Sequence, residues 1–314
     1  MAKVGHNTKL CTDEEFLALL DLHGPAQTSR ILGCSEKAIY VRRNYLAKFQ
    51  HVQRPRDAPL KEYPHRAEIN VKNGVVIVGS DFHIWPGAES VVLRAFKKLC
   101  KDLKPSAVIL NGDVLDFPHI SRHASIMWEE IPDPAEEIEA AQDHLNDIEQ
   151  ACGKAHKIWP MGNHDARFES FIAQHAPQMK KVKGVHLADH FAMWRKAWSC
   201  WVNDEVVVKH RWKGGVHAAH NNAVNSGKTM VTGHLHSQKV TPFTDYNGTR
   251  YGIDTGCVAE TDHKAFTAYT EDNPKNWISG FAVLKFHNGR LMYPELVSRW
   301  DDKSVQFRGE ILRV

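Results

Sequence analysis

The sequence predicts a mixed α/β fold preceded by a small helical domain. Three observations support this prediction: short apolar runs typical of buried strands, a long amphipathic stretch between two of them, and a helical pattern within residues 1–50. A chain of 314 residues suits one large domain with an appendage better than two equal domains. The apolar runs are residues 75–79, 107–110, 158–161, 206–208 and 230–232.

Residues 134–152 are expected to form a helix that packs on the sheet. Apolar residues recur there at helical spacing, in a segment otherwise rich in Glu and Ala, which is typical of a helix with one buried face. Residues 251–256 and 280–286 read as further strands. The Asn288-Gly289 pair predicts a hairpin turn after the second of them.

Polar residues follow each of the five apolar runs, at the point where the predicted strand ends. Open α/β sheets gather their ligand sites at the C-terminal ends of strands, so these residues are expected to meet in one site. The repetition at five strand ends points to a shared site. The clusters are Asp81-Phe-His83, Gly112-Asp113-Val-Leu-Asp116, Gly162-Asn163-His164-Asp165, the single His210, and Gly233-His234-Leu-His236.

The residue types in these clusters point to a centre of two metal ions. Carboxylates, imidazoles and one amide make a mixed oxygen and nitrogen set without thiolate, which suits Mn, Fe or Zn better than Ca or Mg. The set exceeds the four ligands that close a structural zinc site. Two ions that share a carboxylate would leave positions open for water and phosphate, as in-line displacement at phosphorus requires.

The order of these motifs resembles the calcineurin-like metallophosphoesterase superfamily. Its pattern is D-x-H, G-D-x-x-D, G-N-H-D/E, H and G-H-x-H, and each element occurs here in that order within residues 75–236. The resemblance implies a four-layer αββα sandwich and a two-metal-dependent phosphoesterase in which metal-activated hydroxide attacks phosphorus. The motif set is specific for the superfamily and says little about the substrate.

The resemblance also implies a role for each polar residue. His164 and Asp165 would form the catalytic group, in which His164 lies over the site and stabilises phosphoryl charge or protonates the leaving oxygen. Asp165, like Asp116, would orient His164 and neighbouring ligands through hydrogen bonds. The implied ligands are Asp81, His83 and His236 for one ion, Asn163, His210 and His234 for the other, and Asp113 as the bridge.

The assignment of His210 depends on its position after an apolar run. The superfamily commonly has glycine after this histidine, whereas Arg211 follows it here. His217 and His220 are alternatives, but neither follows a strand-like run, so His210 is the preferred ligand.

Two arginines are candidates for substrate contacts. Arg122 lies in the segment 117–128, which is expected to overhang the metals, and Arg167 follows Gly-Asn-His-Asp. The forked guanidinium matches the oxygens of a phosphate. Both residues also have a simpler interpretation, in which Arg122 belongs to a solvated loop and Arg167 points to solvent from a helix over 166–175.

Composition favours a cytoplasmic protein. There is no run of roughly eighteen apolar residues, so no membrane span is expected, and the N-terminus lacks the apolar segment of a signal peptide. The six cysteines are scattered and form no C-x-x-C pair. This argues against a zinc ribbon or a redox pair, and reduced thiols are expected.

Residues 1–50 resemble a helix-turn-helix domain. Thr12 and the acidic residues after it predict a capped first helix, Gly24-Pro25 ends that helix, and Gly33 separates a second short helix from a third that opens at Ser35. The third helix would enter a nucleic-acid groove. The same pattern suits a protein-docking or oligomerisation module, in which its cations would only be solvated. The candidate nucleic-acid contacts are Lys37, Tyr40, Arg42 and Arg43.

Charge and proline content separate this head from the rest of the chain. Residues 1–66 hold eleven Lys and Arg against seven Asp and Glu, a balance of +4, and the remainder has a balance of −1. Binding to a phosphate backbone would require such a positive segment. Prolines and charges between residues 54 and 64 are typical of a semi-rigid linker. We therefore expect a head at 1–50, a linker at 51–73 and a phosphoesterase domain at 74–314.

These observations favour a nuclease or phosphodiesterase that acts on or near nucleic acid and uses two divalent ions, with Mn preferred and Fe or Zn as alternatives. Nucleic acid is the expected partner, as substrate or as ligand of the head, and no membrane partner is expected. A protein or nucleotide phosphomonoesterase is the alternative among enzymes, because the same metal site serves both reactions. Outside enzymes, the alternative is a DNA-binding regulator with a degenerate phosphoesterase domain, against which the intact ligand set argues.

Overall fold

The computed structural model describes residues 11–49, 63–122, 131–262, 270, 273 and 275–314. The chain separates into two compact units, Met1–Glu62 and Tyr63–Val314. In their described parts, the first unit contains only helices and the second carries all of the strands.

The head unit consists of helical segments around a small apolar core. Helix α1 (Asp13–Ile31) begins after Thr12, whose hydroxyl accepts from the Glu15 amide while the Glu15 carboxylate accepts from the Thr12 amide. The backbone of α1 leaves the helical conformation at Gly24 (φ 69°), so α1 comprises two segments, as the sequence predicts. Helix α2 (Glu36–Phe49) follows. The buried core residues are Phe16, Leu20, Ile39 and Leu46.

The structure differs from the prediction for Arg42, which was expected to face a groove. Its guanidinium donates to the Asp13 carboxylate at 2.7 Å and to the Cys11 carbonyl at 2.9 Å. It also lies 4.5 Å from the centre of the Phe16 ring. Asp13 supplies a nearby opposite charge, and Arg42 therefore ties α2 to the start of α1.

Other residues of α2 do face outward. Lys37, Tyr40 and Asn44 are exposed, and they share one face of the helix because they are three and four residues apart. The Arg43 guanidinium lies 5.1 Å from the centre of the Tyr40 ring. This face remains a candidate surface for nucleic acid.

The described residues of the second unit form helices α3 to α7 and strands β1 to β15. The helices are α3 (Val91–Leu103), α4 (Pro134–Cys152), α5 (Asp165–His175), α6 (Leu187–His190) and α7 (Ala218–Ser226). The first eight strands are β1 (Ala67–Ile69), β2 (Gly74–Gly79), β3 (Ala107–Leu110), β4 (His156–Pro160), β5 (Arg195–Ala197), β6 (Cys200–Val202), β7 (Val206–Val208) and β8 (Thr229–Thr232). The others are β9 (Lys239–Asp245), β10 (Gly248–Asp254), β11 (Gly280–His287), β12 (Arg290–Leu291), β13 (Glu295–Asp301), β14 (Ser304–Phe307) and β15 (Glu310–Arg313).

These strands form two sheets. In the described part of the chain, one sheet has six strands in the order β1-β6-β7-β8-β10-β9. The other has nine, in the order β15-β14-β13-β11-β2-β3-β4-β5 with β12 beside β11. Strands β2 to β5 are parallel neighbours, as are β7 and β8. Parallel pairing brings their C-terminal ends to a common edge, where the polar clusters follow.

The two sheets pack face to face between helices, which confirms the predicted four-layer αββα sandwich. Along β2, Val76 and Val78 are buried against the other sheet, while Ile77 is buried against the helices. Both faces of the strand are covered, which is why its sequence is continuously apolar. Helices α3 and α4 cover the nine-stranded sheet, and α7 packs on β8, β9 and β10.

The second unit begins at Tyr63, within the segment 51–73 that was expected to be a linker. Strand β1 pairs in parallel with β6, with Ala67 opposite Cys200, and Tyr63 packs against the core. A three-residue strand is too short to recognise from hydrophobic periodicity. Residues 50–62, which hold most of the expected linker, lie outside the described residues.

The described residues contain neither a membrane-spanning helix nor a disulfide. No helix there combines the length and the apolar character that crossing a bilayer would require. All six cysteines are free thiols, and four of them are buried, as is common for small, weakly polar side chains.

Candidate metal centre

The polar clusters lie together at the C-terminal ends of strands from both sheets. The nine-stranded sheet contributes the residues after β2, β3 and β4, and the six-stranded sheet contributes those after β7 and β8. The predicted ligands placed at this edge are Asp81, His83, Asp113, Asn163, His210, His234 and His236. Five of them are buried: Asp81, His83, Asp113, His210 and His236.

The first group of candidate ligands comprises Asp81, His83 and His236, whose ligand atoms all lie within 4.8 Å of one another. Nε2 of His236 is 3.1 Å from Oδ1 of Asp81, and Nε2 of His83 is 3.9 Å from the same oxygen. The other oxygen of Asp81 accepts from the Ser80 hydroxyl at 2.6 Å and from the His234 amide at 2.8 Å. One carboxylate oxygen is therefore fixed by a hydroxyl and a backbone amide, while the other faces the histidines.

The second group comprises Asp113, His210 and His234, again within 4.8 Å. Nε2 of His210 is 3.0 Å from Oδ2 of Asp113, and Nδ1 of His210 donates to the Asn111 carbonyl at 2.7 Å. That bond fixes the tautomer and directs Nε2 into the site. Oδ1 of Asn163 is buried and has no hydrogen-bond partner among the described residues.

The alternative histidines lie outside these groups. His217 is exposed and precedes α7, and the ring of His220 contacts Phe243 at 5.7 Å between centroids. Neither belongs to a cluster of candidate ligands in the described part of the chain. Arg211 is exposed next to His210.

Five candidate ligands have a left-handed backbone conformation, with φ between 39° and 69°. For a residue other than glycine this conformation costs about 1–2 kcal/mol. It persists only where the surrounding structure fixes the backbone, and such residues concentrate at functional sites. The five residues are Asp81, His83, Asp113, His234 and His236.

Two motif glycines allow the loops of the site to approach each other. A Cβ atom on Gly162 would collide with the Asp113 carboxylate, and one on Gly233 would collide with Ser80 and with the Asp81 carboxylate. Glycine is needed in G-N-H-D and G-H-x-H because each backbone passes directly against a ligand from another loop.

The buried carboxylates and imidazoles stabilise one another in their charged forms. Burial disfavours ionisation of Asp113, yet His210 and His164 hold its pKa below the usual range. Burial also disfavours protonation of His210, yet Asp113 and Asp81 raise its pKa well above the usual value. The pKa of Asp81 is likewise held below its usual range, against burial, by His236 and His210. A buried pocket that stabilises positive charge in this way also favours a bound cation.

The residues of the centre fit two divalent ions. Their donor atoms are carboxylate and amide oxygens and imidazole nitrogens, a set that suits Mn, Fe and Zn. A cation would satisfy the buried, unpartnered Oδ1 of Asn163. The two groups of ligand atoms adjoin, since Nε2 of His210 lies 3.0 Å from Asp113 and 4.0 Å from Asp81.

His164 lies beside both groups and is held by Asp116. Nδ1 of His164 is hydrogen-bonded to Oδ1 of Asp116, and the His164 amide donates to Oδ1 of Asp113 at 2.8 Å. Nη2 of Arg167 is 3.2 Å from Nε2 of His164, and Nη1 donates to the Asp116 carbonyl at 2.7 Å. Burial lowers the pKa of His164, but Asp116 and Asp113 raise it overall. Arg167 therefore points toward His164 and not into solvent.

Asp165 supports the backbone of the site, and its carboxylate forms no hydrogen bond with the His164 side chain. One of its oxygens accepts from the amides of Asp113 and Gly162 and from the Trp159 indole, each at 2.9 Å. The other accepts from two further amides of the same loop. Asp165 is fully buried and fixes the loop of the neighbouring ligand Asp113, one of the two tasks expected of it. The other task, orienting His164, is performed by Asp116, so Asp165 is a positioning residue and not part of a catalytic pair.

Glu137 is a second buried carboxyl group that positions the site, and the sequence did not single it out. Its Oε2 accepts from the amides of Asp116 and Phe117 at 3.0 and 2.9 Å. Burial raises the pKa of Glu137 to about 8. A signal was present, because Glu137 precedes Ala141 by four residues and Leu145 by eight, on the apolar stripe of α4.

A cavity of about 930 Å³ opens beside the second group of ligands. Gly162, Asn163 and His210 line it, and both candidate arginines, Arg122 and Arg167, also line it. Arg122 is exposed at its rim. Residues 123–130, which include half of the expected overhanging loop, lie outside the described residues.

Comparison with known proteins relates this chain to phage relatives. It is 25% identical over 249 residues to the Gene 54 protein of Mycobacterium phage L5, an alignment that covers 71% of this chain and 92% of the relative. It is 26% identical over 256 residues to the Gene 54 protein of Mycobacterium phage D29, with the same coverage.

Among solved structures, the chain is similar to Vps29 complexed with zinc from Entamoeba histolytica, with a TM-score of 0.40 and 13% identity over 76% of this chain and 98% of that one. It is also similar to a dimetal phosphatase from Danio rerio, with a TM-score of 0.37 and 12% identity over 77% and 98%. The family model described as calcineurin-like phosphoesterase matches residues 74–238. That segment spans more than half of the chain and contains every candidate ligand. The chain therefore belongs to the calcineurin-like phosphoesterase family.

Proposed function

We propose that this chain is a metal-dependent phosphodiesterase that cleaves nucleic acid. The observation that carries the proposal is the position of His164, held by Asp116 and Arg167, beside two adjoining groups of metal-ligating side chains. This arrangement suits in-line displacement at phosphorus, because negative charge must be neutralised on both the attacking and the leaving oxygens.

Two side chains of the site would have different roles: His164 would transfer a proton, and Arg167 would stabilise negative charge. In the structure Nη2 of Arg167 donates to Nε2 of His164, whose Nδ1 is fixed by Asp116. Once His164 is protonated, Arg167 would turn to a phosphoryl oxygen and Nε2 would donate its proton to the leaving oxygen. Asp116 and Asp113 raise the pKa of His164, against the effect of burial, and so keep that proton available near neutral pH. Arg167 lies close enough to Nε2 that the two residues can hold two oxygens of one phosphoryl group.

The predicted ligands would hold two ions, with Asp81, His83 and His236 on one and Asp113 between them. When bound, divalent ions would supply Lewis-acid activation of the attacking water and neutralise phosphoryl charge. The mixed donor set favours Mn, with Fe or Zn as alternatives. The remaining ligands, on the second ion, would be Asn163, His210 and His234.

Nucleic acid is proposed as the substrate because of the charge and surface of the head. Residues 1–66 carry a balance of +4, and Lys37, Tyr40 and Asn44 form an exposed face of α2. Cationic and aromatic side chains on one helix face suit a phosphate backbone and its bases. The head would then hold the polymer whose diester bonds the second unit cleaves.

The proposal is tested by comparing a phosphodiester with a phosphomonoester nitrophenyl substrate, each with Mn²⁺ added to metal-stripped protein. Preference for the diester is expected. Preference for the monoester would favour a protein or nucleotide phosphatase, because the same centre serves both reactions. Absence of turnover, together with less than one tightly bound transition ion per chain, would favour a DNA-binding regulator with a degenerate site.

The role of His164 is tested by the variant His164→Ala. We expect a loss of turnover of about 10²-fold or more with metal content unchanged, because the variant removes the proton donor and no ligand. His156→Ala is the matched control, since His156 is exposed at the start of β4, the end of that strand away from the site. Unchanged turnover in His164→Ala would remove this histidine from the mechanism.

A further inference from the structure

The cavity beside Asn163 and His210 is much larger than a single phosphate needs. It occupies about 930 Å³, at the upper end of the range for small-molecule sites. It begins at residues of the second ligand group and extends away from them along α5, past Phe171 and His175. A substrate whose phosphorus lies at the centre would therefore have room to place several more groups here.

Three cations that line the cavity have no acidic partner among the described residues. Besides Arg167, which is engaged by Asp116, the lining includes Arg122, Lys209 and Arg211, and none of the described Asp and Glu residues contributes to it. None of these three cations forms an ion pair with any residue that the structure describes. Unpaired cations around a concave surface attract an anion, and a second phosphate could bind there.

Aromatic side chains lie in the same cavity. Phe171 on α5 is 41% exposed, and Trp198, which follows β5, is partly buried with a surface on the cavity. Planar apolar faces next to unpaired cations are the combination that binds single-stranded nucleic acid, because bases stack on the rings while phosphates pair with the cations. An acidic peptide would use the cations but would leave the rings without a comparable partner.

We propose that this cavity is the subsite for the nucleotide next to the scissile phosphate of a single strand. Arg211 and Lys209 bind the neighbouring backbone phosphate, Arg122 contributes from the rim, and the base lies against Phe171. The proposal rests on the proposed function and deepens it, because it assigns the substrate of that centre to a strand with at least one further phosphate. Arg211, directly after the ligand His210, is thus a specificity-determining residue.

The test is calorimetric titration of the dinucleotide pTpT, and of thymidine 5′-monophosphate, into the metal-stripped full chain. We expect Arg211→Gln and Phe171→Ala each to weaken pTpT binding roughly 10-fold or more. Arg211→Gln should also lower the salt dependence of pTpT binding by about 0.7 in the log–log slope, which corresponds to one lost phosphate contact. Binding of the monophosphate should change less, because it has no second phosphate.

Arg290→Gln is the matched control and should bind pTpT within about two-fold of the wild type. Arg290 is exposed on β12, and the preceding Gly289 amide donates to the carbonyl of Lys72 at 2.7 Å, next to the start of β2 and far from its C-terminal end. Tyr40→Ala tests whether the head binds the probe. Wild-type affinity in both Arg211→Gln and Phe171→Ala, or weakening in Tyr40→Ala alone, would overturn the subsite.

The subsite and the proposed function can fail separately. If the metal-loaded chain hydrolyses the nitrophenyl diester but pTpT does not bind, the subsite is wrong and the phosphodiesterase stands. If pTpT binding depends on Arg211 but no diester is hydrolysed, the subsite stands and the proposed function is wrong. Arg211-dependent binding of a phosphoserine peptide, with none of pTpT, would assign the cavity to protein substrates and overturn the proposal.

Discussion

In the metal centre Asp81, Asp113 and His210 are at most 2% exposed, whereas in the head Lys37 and Tyr40 stand exposed on α2. Each of these buried charges is held by a hydroxyl, an amide or a carbonyl of the surrounding loops. In the described part of the head Lys37 forms no ion pair, whereas Arg42 departs from the predicted pattern because Asp13 lies within reach. A sequence motif predicts where a side chain lies when the fold fixes all of its partners. The motif does not predict this for a side chain that can choose between several partners.

Among the variants that test this contrast between the centre and the head, a substitution of Asp113 should have the largest effect on activity. We expect Asp113→Asn to lower kcat/KM for the nitrophenyl diester by about 10³-fold, or roughly 4 kcal/mol of transition-state stabilisation, and to lower metal content. The carboxylate charge is lost while the shape is kept. Asp204→Asn is the control, because the Asp204 side chain is 80% exposed. An active Asp113→Asn protein with full metal content would contradict the bridging role.

Asp165 should have the next largest effect, on folding stability. Asp165→Asn replaces a carboxylate that accepts five hydrogen bonds with an amide whose NH₂ group faces donors. We expect a loss of about 3 kcal/mol in the free energy of unfolding, measured with urea on metal-free protein. Asp147→Asn, at a side chain that is 59% exposed, should change it by less than about 0.5 kcal/mol. Equal stabilities for the two variants would contradict the positioning role.

A smaller effect should appear in the pH dependence of stability through Glu137. Burial raises the folded-state pKa of Glu137 from 4.5 to about 8. The protonated Glu137 therefore contributes fully to the free energy of unfolding below about pH 4.5, and this contribution is lost as the pH rises through 8. The amide oxygen of the Glu137→Gln variant can still accept from the Asp116 and Phe117 amides. Relative to this variant, the free energy of unfolding of the wild type should fall by on the order of 2 kcal/mol between pH 5 and 9. A constant difference between the two proteins across this range would show that Glu137 is ionised in the folded state.

The smallest effect on stability is expected for a substitution in the head, where charged side chains are more exposed than in the metal centre. Arg42→Ala should destabilise the head by about 1 kcal/mol, because it breaks the contacts with Asp13 and Phe16. Faster hydrogen exchange of α1 and α2 amides would report the change, with turnover of the nitrophenyl diester unaltered. Lys37→Ala, at an exposed position of the same helix, should leave exchange unchanged. Similar exchange in the two variants would place Arg42 on the surface after all.

Much of the sandwich could be predicted because its strands are continuous apolar runs with polar residues at their ends. The ligand clusters could be placed for the same reason, since each follows one strand of a parallel pair. The hydrogen bonds of Asp165 could not, because they join amides from loops that only the fold brings together. The cavity was equally hidden, since Arg122, Phe171, Trp198 and Arg211 come from four separate segments.

The left-handed backbone of five candidate ligands has a consequence for how this protein can change over generations of selection. Each position strains the chain by about 1–2 kcal/mol, and glycine, which has no Cβ atom, would relieve that strain. A library selected for heat resistance alone should therefore accumulate such substitutions at Asp81, Asp113 or His234 and lose its metals. Only selection for turnover preserves the native residues there. The metal centre therefore lowers the stability of the fold, and its residues are retained because the reaction requires them.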